Sequence, residues 1–573
     1  MTLLSSDPIS NTTDSIDSQY YDLGHHSRRV STTSAEAQLW FNRGLLWAYS
    51  FNLGEAEKCF EHAIEYDPEC AILYWGLAYS VGPNYNKAWK YFDTEDFKVC
   101  TKKANDALGT ALRLSLQATP IEKALIVALT ARFLPSENIP DELGFLDAGY
   151  ADAMRLVYKD FPRDTDIAAL FADALMCITP RGLWNLDTGK PTANHTIEAR
   201  QVIESGLAQS DGHNHPALCH LYIHMLEMSP FPELALPAAD RLRRLVPDAS
   251  HMLHMPTHID AAIGDYRRSI LSNQEAIDAD DQYFAHASGT VQYVMYRVHY
   301  ICAKLYAGMM SGRFTDAMAA AEKIEEVIDE KLLSITSPPV ADFVESFYGS
   351  KAHVLIRFGR WNDILNLELP SNRIMYCTTV ANVLYARGLA LSALGRVSEA
   401  EAAQKEFEEA RRAVPKTRLN SIPTRQVDVF SVASAMLHGE IEYRKGNFDI
   451  AFSLLRKAAE LEDSLPYGDP PPWMQPVRHA LGGLLLEQNR VEEAEVAFRE
   501  DLGFSKEYPR RRAKLNNVWG LHGLHECFKR AGKLEEAQFI RSPYEIALAV
   551  SDVPITVSCY CCLSADQTYG CCS

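Results

Sequence analysis

The stretch that decides the fold is residues 37–70, AQLWFNRGLLWAYSFNLGEAEKCFEHAIEYDPEC. Small and large residues recur in it at offsets that suit two antiparallel helices. Small residues let the helices approach, aromatic residues fill the space between them, and a Pro ends the second helix. The residues at these offsets are Trp40, Gly44, Trp47, Ala56, Phe60, Ala63 and Pro68. The spacing predicts a helical hairpin whose outer faces need further hairpins to cover them.

The same spacing resembles the tetratricopeptide repeat (TPR). Looser units follow it. YWGLAYSVGP (74–83) opens a second one, and a turn Gly with an Ala five residues on marks later ones, as at Gly312, Gly395 and Gly446. No β-hairpin or alternating strand pattern is visible. We predict an all-α, TPR-like right-handed superhelix (α-solenoid) of about ten helical hairpins with a concave inner face.

Composition shifts divide the chain into three parts. Residues 1–35 are rich in Ser, Thr and Asp, and we expect a partly disordered N-terminal arm there. Residues 36–545 form the predicted superhelix, and residues 546–573 form a Cys-rich tail. Pro-rich stretches near 179–196 and 466–476 interrupt the helices. Each is either a functional loop over the groove or a plain insertion between repeats.

Charge and composition exclude several classes of partner. The formal net charge is −19 over 573 residues, which disfavours nucleic acid because a phosphate backbone needs a basic surface. No apolar run approaches the roughly 18 residues of a membrane span, and no signal peptide is visible. Eight of the 13 Cys are scattered singly, as small buried residues are in a reducing compartment. We therefore expect a cytoplasmic protein.

Two histidine clusters form the candidate site. In HLYIHMLE (220–227), His220, His224 and Glu227 fall on one arc of a helix, opposite its packing face. This arc is either a solvated polar face or a metal-binding face, since imidazole is the commonest protein metal ligand. Glu227 is then a ligand or a base, or a partner that fixes a histidine tautomer.

The second cluster is HMLHMPTH (251–258), in which His254 and His258 are four residues apart and a further His precedes them. Pro256 either kinks one helix or begins a new one. Each of these two residues follows a histidine of the first cluster by one repeat period, so adjacent hairpins aim them into the same groove. The spacing predicts four imidazoles that converge on one or two metal ions, with His299 as a candidate fifth ligand.

The irregular stretches supply candidates for contact with a substrate. We expect Trp184, Tyr467 and Trp473 to cover a bound small molecule, and Arg478 to act with Glu227 in catalysis. Several imidazoles suit copper or iron, with zinc as a further candidate, and affinity order alone favours copper. Metal-dependent hydrolysis is less favoured because Glu227 is the only obvious general base.

The string HLYIHMLEMSP…HMPTHI, together with GLWNLDTGKP, PPPWMQPVRHALG and WGLHGL, resembles a widespread group of bacterial and fungal TPR proteins that is largely uncharacterised. The resemblance covers about residues 35–560. It implies the TPR fold, and its fungal members suggest a role in specialised metabolism.

These observations together predict a His-rich, metal-binding TPR protein. We expect a metal-dependent oxidoreductase that acts on a small molecule. The alternative is a non-catalytic TPR adaptor that holds a peptide or partner protein in its concave groove.

Overall fold

The computed structural model describes residues 20–134, 142–287, 289–337 and 340–560. These residues form α-helices joined by turns and irregular segments, together with one very short β-hairpin. The all-α, TPR-like helical-repeat fold predicted from the sequence is confirmed.

The first half of the chain packs as successive antiparallel helices. In chain order they are α1 (Ala35–Tyr49), α2 (Leu53–Tyr66), α3 (Ala71–Ser80), α4 (Thr94–Leu114), α5 (Pro120–Leu129), α6 (Gly144–Asp160), α7 (Thr165–Cys177), α8 (Asn194–Leu207), α9 (Pro216–Leu226), α10 (Leu236–Leu242), α11 (Ser250–His254), α12 (Pro256–Ile263), α13 (Tyr266–His286) and α14 (Val291–Ser311).

The second half continues in the same way. Its helices and strands are α15 (Phe314–Val327), α16 (Glu330–Leu333), α17 (Ala341–Tyr348), α18 (Ser350–Arg357), α19 (Trp361–Leu365), α20 (Cys377–Ala393), α21 (Val397–Ala413), β1 (Leu419–Ser421), β2 (Thr424–Arg425), α22 (Gln426–Arg444), α23 (Phe448–Asp463), α24 (Val477–Glu487), α25 (Val491–Asp501), α26 (Val518–Arg530), α27 (Leu534–Phe539) and α28 (Arg541–Val550).

One packing arrangement recurs at both ends of the array. The buried Phe60 ring lies between α1 and α3, where a Cβ on Gly44 or Gly76 would come within 2.9 or 2.4 Å of it. Phe498 is placed in the same way against Gly482 and Gly523. A glycine on each neighbouring helix therefore makes room for one aromatic ring, which explains the spacing seen in the sequence.

The turn glycines behave as predicted, but the expectation of no β-hairpin was wrong. Gly312, Gly395 and Gly446 have positive φ angles of 74°, 72° and 84° after their helices. β1 and β2 pair as an antiparallel hairpin between α21 and α22. Strands of three and two residues are too short to produce an alternating pattern in the sequence.

Segments from the last third of the chain fold onto the first half. Asn516 Nδ2 donates to the Ile263 carbonyl at 3.0 Å, and Trp519 Nε1 donates to the Met309 carbonyl at 2.7 Å. Arg512 Nε donates at 2.8 Å to Asp187, which lies in the 179–196 insertion. These contacts hold residues 512–519 against the 179–196 insertion, α12 and α14.

The ends of the described chain also pack onto the helices. Trp47 Nε1 donates to the Tyr20 hydroxyl at 3.0 Å, and Arg28 Nη1 donates to Asp164 Oδ1 at 2.8 Å. Residues 1–19 of the predicted arm, and residues 561–573 of the Cys-rich tail, lie outside the described residues. The eight scattered cysteines are buried and free, as predicted. Among the described residues, no helix is long and apolar enough to cross a bilayer.

Candidate metal centre

Helix α9 supplies the first two histidines, and the structure excludes a solvated polar face there. The helix begins at Pro216, where the His215 side chain accepts a hydrogen bond from the Leu218 amide at 3.3 Å. Every residue of α9 is buried, with His220 1% and His224 2% exposed. These two imidazoles therefore point into protein, where an unpaired polar group is costly.

The second cluster lies across a break between two short helices. His251 and His254 are on α11, and His258 is on α12, which begins at Pro256. Met255 between them keeps helical angles, with φ −51° and ψ −39°. Pro256 therefore removes one backbone donor without turning the chain, and the three imidazoles stay on one face.

The imidazoles gather in two groups. The first comprises His220, His224 and His251; the second comprises His254, His258, His299 and the Asp469 carboxylate. Within each group the candidate ligand atoms all lie within 4.8 Å of one another. The sequence predicted that His220 and His224 share a site with His254 and His258, whereas the structure brings His251 to the first pair and His299 to the second.

The first group has its outer ring nitrogens occupied and its inner ones available. The Nδ1 partners are the Tyr49 carbonyl for His220 at 2.8 Å, Glu227 Oε1 for His224 at 2.7 Å and the Tyr300 hydroxyl for His251 at 3.2 Å. The Nε2 atoms then face one another, with those of His220 and His251 3.2 Å apart. Such outer contacts fix the tautomer of a metal-binding histidine.

The second group is built in a similar way. His254 Nδ1 lies 2.7 Å from Asn273 Oδ1, and its Nε2 lies 2.9 Å from His258 Nε2. The His299 ring, on α14, is centred 4.6 Å from the His254 ring. Asp469 Oδ2 lies 3.3 Å from His258 Nδ1. This group therefore offers three imidazoles and one carboxylate.

Glu227 joins the two groups. Its Oε1 lies 2.7 Å from His224 Nδ1, and its Oε2 lies 2.5 Å from His258 Nδ1. The Tyr467 hydroxyl donates to the same Oε2 at 2.7 Å. Burial opposes the charge, but His258 and His224 together hold the pKa of Glu227 well below its usual range. Glu227 is thus a charged carboxylate that hydrogen-bonds His224 of the first group and lies within ion-pair distance of His258 of the second.

Burial favours the neutral form of most of the histidines. Burial, reinforced by the neighbouring imidazoles, holds the pKa values of His220, His251 and His254 well below the usual range. Burial also disfavours the charged form of His258, but the Glu227 and Asp469 carboxylates raise its pKa. A neutral imidazole has a free lone pair, which is the form that binds a metal.

One pair of ring nitrogens in each group has the spacing of two ligands on a transition-metal ion. Ligands about 2.0–2.1 Å from one ion, at angles between 90° and 110°, are about 2.9–3.4 Å apart. The Nε2 pairs at 2.9 and 3.2 Å fall in this range. His224 Nε2 is buried without a hydrogen-bond partner among the described residues, although buried polar atoms are normally paired. A metal ion bound to this nitrogen would satisfy it.

A cavity lies beside the two groups. His224, His258, His299 and Asp469 line one side of it. The lining also includes apolar and amide side chains, among them Met295, Phe343, Phe347, Asn382, Asn420 and Gln426. Apolar side chains with a few polar groups are typical of sites for small organic molecules.

The residues that line this cavity include none of the four expected to contact a substrate, which are Trp184, Tyr467, Trp473 and Arg478. Trp184 Nε1 donates to the Met225 carbonyl at 2.7 Å and supports α9 from behind. Trp473 is buried against His353, with ring centroids 5.4 Å apart. Arg478 binds Asp463 at 2.7 Å and Glu500 at 2.8 Å. Tyr467 and Glu227, by contrast, lie directly behind the histidines.

The sequence analysis missed several residues of the site. His251 belongs to the HMLHMPTH motif and could have been chosen on its helical spacing. Asp469 comes from the 466–476 stretch, and Asn273 and Tyr300 lie on α13 and α14 with no distinctive pattern around them. Their positions depend on tertiary packing, so no local signal identifies them.

A third cluster, formed by His26, Asp166 and His215, lies behind the first group. Asp166 Oδ1 is 3.0 Å from His26 Nε2 and 3.1 Å from His215 Nε2, and it accepts from the Tyr49 hydroxyl at 2.7 Å. Arg28 donates to Asp166 Oδ2 at 3.0 Å. A guanidinium beside a saturated carboxylate disfavours a cation, so this cluster is a hydrogen-bonded network that fastens the N-terminal arm.

One comparison with known proteins supports the repeat. A tetratricopeptide-repeat family model matches residues 37–70, the α1–α2 hairpin. The human IFIT1 dimer with m7Gppp-AAAA is 14% identical over 88% of this chain and 95% of that chain, with a TM-score of 0.34. Yeast Tom70 is 14% identical over 90% of this chain and 99% of that chain, with a TM-score of 0.32. No curated protein sequence matches this chain.

Proposed function

We propose that this TPR protein is a metal-dependent oxidoreductase that acts on a small organic molecule. The observation that carries the proposal is the convergence of six imidazoles in two adjacent groups beside a cavity. His220, His224 and His251 would hold one ion, and His254, His258, His299 and Asp469 a second. A bound copper or iron ion would supply the redox chemistry at the cavity wall; zinc remains a weaker candidate.

The residues around the two groups support this role. Glu227 fixes the orientation of His224 and His258, and Tyr467 fixes Glu227. The resemblance of the histidine motifs to fungal and bacterial TPR proteins fits a role in specialised metabolism.

Elemental analysis tests the proposal. The full chain is stripped with a chelator, incubated separately with copper, iron and zinc, and freed of unbound metal. We expect about two ions per chain for the favoured metal, one for each histidine group. A chain that retains no metal from any of the three incubations would refute the proposal.

A matched pair of variants locates the site. Because His224 is buried, His224→Gln is preferred to an alanine variant, which would leave a cavity. We expect His224→Gln to lose at least one ion, whereas His438→Gln, at a half-exposed histidine on α22, retains both. Equal metal content in the two variants would place bound metal elsewhere.

The alternative is a non-catalytic adaptor, which the tetratricopeptide match favours. TPR hairpins commonly present a groove to peptides. Beside α9–α14 that groove is occupied by Tyr467 and by residues 511–519 of this chain. An adaptor function would therefore use another part of the array, and it predicts partner binding that His224→Gln leaves unchanged.

A further inference from the structure

Arg181 is the charged residue of the cavity that the proposed metal centre does not use. It lines the cavity opened by His224, His258 and His299. Its Nη2 donates to Asn86 Oδ1 at 3.2 Å, and its Nε is buried without a hydrogen-bond partner in the part of the chain that the structure describes. A guanidinium has five donors, so most of its capacity is unused.

Two other largely buried arginines of this protein have carboxylate partners. Arg28 pairs with Asp164 and Asp166, and Arg478 pairs with Asp463 and Glu500. Within the described ranges Arg181 has only the Asn86 amide. Asp469 faces the same cavity, but its carboxylate lies beside His258, at 3.3 Å. Arg181 therefore lines the cavity with no carboxylate hydrogen-bonded to its guanidinium among the described residues.

The backbone at Arg181 is also unusual. Its φ is +57°, in the left-handed region that a non-glycine residue adopts at a cost of about 1 kcal/mol. The residue lies between α7 and α8, in the Pro- and Gly-rich 179–196 insertion. Strained residues of this kind concentrate at ligand sites, where the surrounding structure fixes them.

We infer that the cavity binds a small organic acid, with its carboxylate on Arg181 and its apolar body against the apolar part of the lining. Met295, Phe343, Phe347 and Val429 provide that part, and Asn382 and Gln426 provide neutral hydrogen-bonding groups. Arginine and carboxylate match in both charge and geometry. The inference rests on the proposed function for the reaction, and it adds the substrate class.

Binding of 1-naphthoate and its neutral isostere 1-naphthamide tests the inference. Calorimetry uses the full chain in metal-free and zinc-loaded forms, with acetate as a probe that lacks the apolar body. We expect 1-naphthoate to bind the metal-free chain at least about tenfold more tightly than 1-naphthamide, because a charged hydrogen bond is lost with the amide. Acetate should bind more weakly than 1-naphthoate.

Two variants and a control assign the effect to Arg181. Arg181→Gln should abolish the preference for the acid and leave the affinity for 1-naphthamide unchanged, whereas Arg181→Lys should retain part of the preference. Arg244→Gln, at an exposed residue on the α10–α11 connection, should behave as the wild type. Equal affinity for acid and amide in the wild-type chain, or an unchanged preference in Arg181→Gln, would overturn the inference.

The readouts keep this inference separate from the proposed function. If Arg181→Gln does not fold, as judged by its thermal unfolding, two measurements still test the inference. They are the ratio of the wild-type affinities for 1-naphthoate and 1-naphthamide, and the same ratio for Arg181→Lys. A chain that retains no metal but prefers 1-naphthoate would refute the oxidoreductase and leave the acid site intact. A chain that retains two ions without this preference would refute the acid site and leave the proposed metal centre intact.

Discussion

At the scale of single residues, Glu227 connects the two histidine groups. It contacts one imidazole of each group and is held by the Tyr467 hydroxyl. A carboxylate bonded to Nδ1 orients the ring and makes Nε2 a better electron-pair donor. The two groups therefore depend on one side chain that does not line the cavity.

Glu227→Gln should weaken metal binding about 10- to 100-fold, because an amide cannot offer charged acceptors to both imidazoles. The affinity is measured by competition with a chromophoric chelator. Glu233→Gln, at an exposed neighbour whose nearest cation is Arg510 at 3.8 Å, serves as the control. An affinity for both ions equal to that of the wild type would show that Glu227 has no positioning role.

His353 lines the cavity outside both metal groups and gives a pH prediction. Burial lowers its pKa from 6.5 to about 4. Above pH 6.5 it is neutral in both the folded and the unfolded chain. Below pH 6.5 the unfolded chain binds the proton first, so stability is lost as the pH falls to about 4. The loss amounts to about 3 kcal/mol from this residue.

The measurement compares the free energy of unfolding of the wild type and His353→Gln between pH 7 and pH 4. The variant should lose less stability over this interval, since it has no group to protonate. Parallel pH profiles for the two proteins would contradict the assigned shift.

The sequence predicted five of the six imidazoles, because helical spacing and the repeat period are local properties. It could not predict which imidazoles meet, because that depends on how the helices pack. It also could not place Asp469 and Arg181 in the site, because both come from insertions whose paths depend on contacts with distant helices. Arg478 illustrates the same limit. Its place in PPPWMQPVR suggested a substrate contact, but Asp463 and Glu500 neutralise it.

At the scale of helices, one aromatic ring against two glycines determines how neighbouring hairpins pack. Phe60 between Gly44 and Gly76, and Phe498 between Gly482 and Gly523, are two copies of this arrangement. This spacing was visible in the sequence, which is why the hairpins could be predicted. The sequence did not distinguish one kinked helix from two helices at the α11–α12 break, because Pro256 is compatible with a kink or a helix start.

Gly76→Ala should destabilise the protein by about 1–3 kcal/mol, because the new methyl group would lie 2.4 Å from the Phe60 ring. Gly109→Ala, on α4, is the matched control, since a Cβ there meets nothing within 4 Å. It should leave stability unchanged or raise it by about 0.5–1 kcal/mol. Thermal unfolding measures both, and equal midpoints would show that the Phe60 contact does not limit packing.

At the scale of the whole molecule, the buried apolar residues form two cores. One extends from Leu23 to Phe358 and includes Tyr467 and Trp519; the other covers residues 352–560. All six imidazoles lie on helices of the first core. The loop that carries Asp469 packs against both cores, with Tyr467 and Met474 in the first and Trp473 in the second. This packing depends on contacts across more than 200 residues, which a repeat pattern cannot predict.

Metal binding should therefore stabilise the two cores unequally. An ion at 100 times its dissociation constant adds about 2.7 kcal/mol to the folded form. Hydrogen exchange, followed by mass spectrometry on metal-free and metal-loaded protein, should slow in α9, α11, α12 and α14, where the ligands lie. Helices α21 and α22 contribute no imidazole to either group and should change little. His224→Gln should remove much of this protection, whereas His438→Gln should keep it. Equal slowing throughout the chain would mean that the metal does not bind at α9–α14.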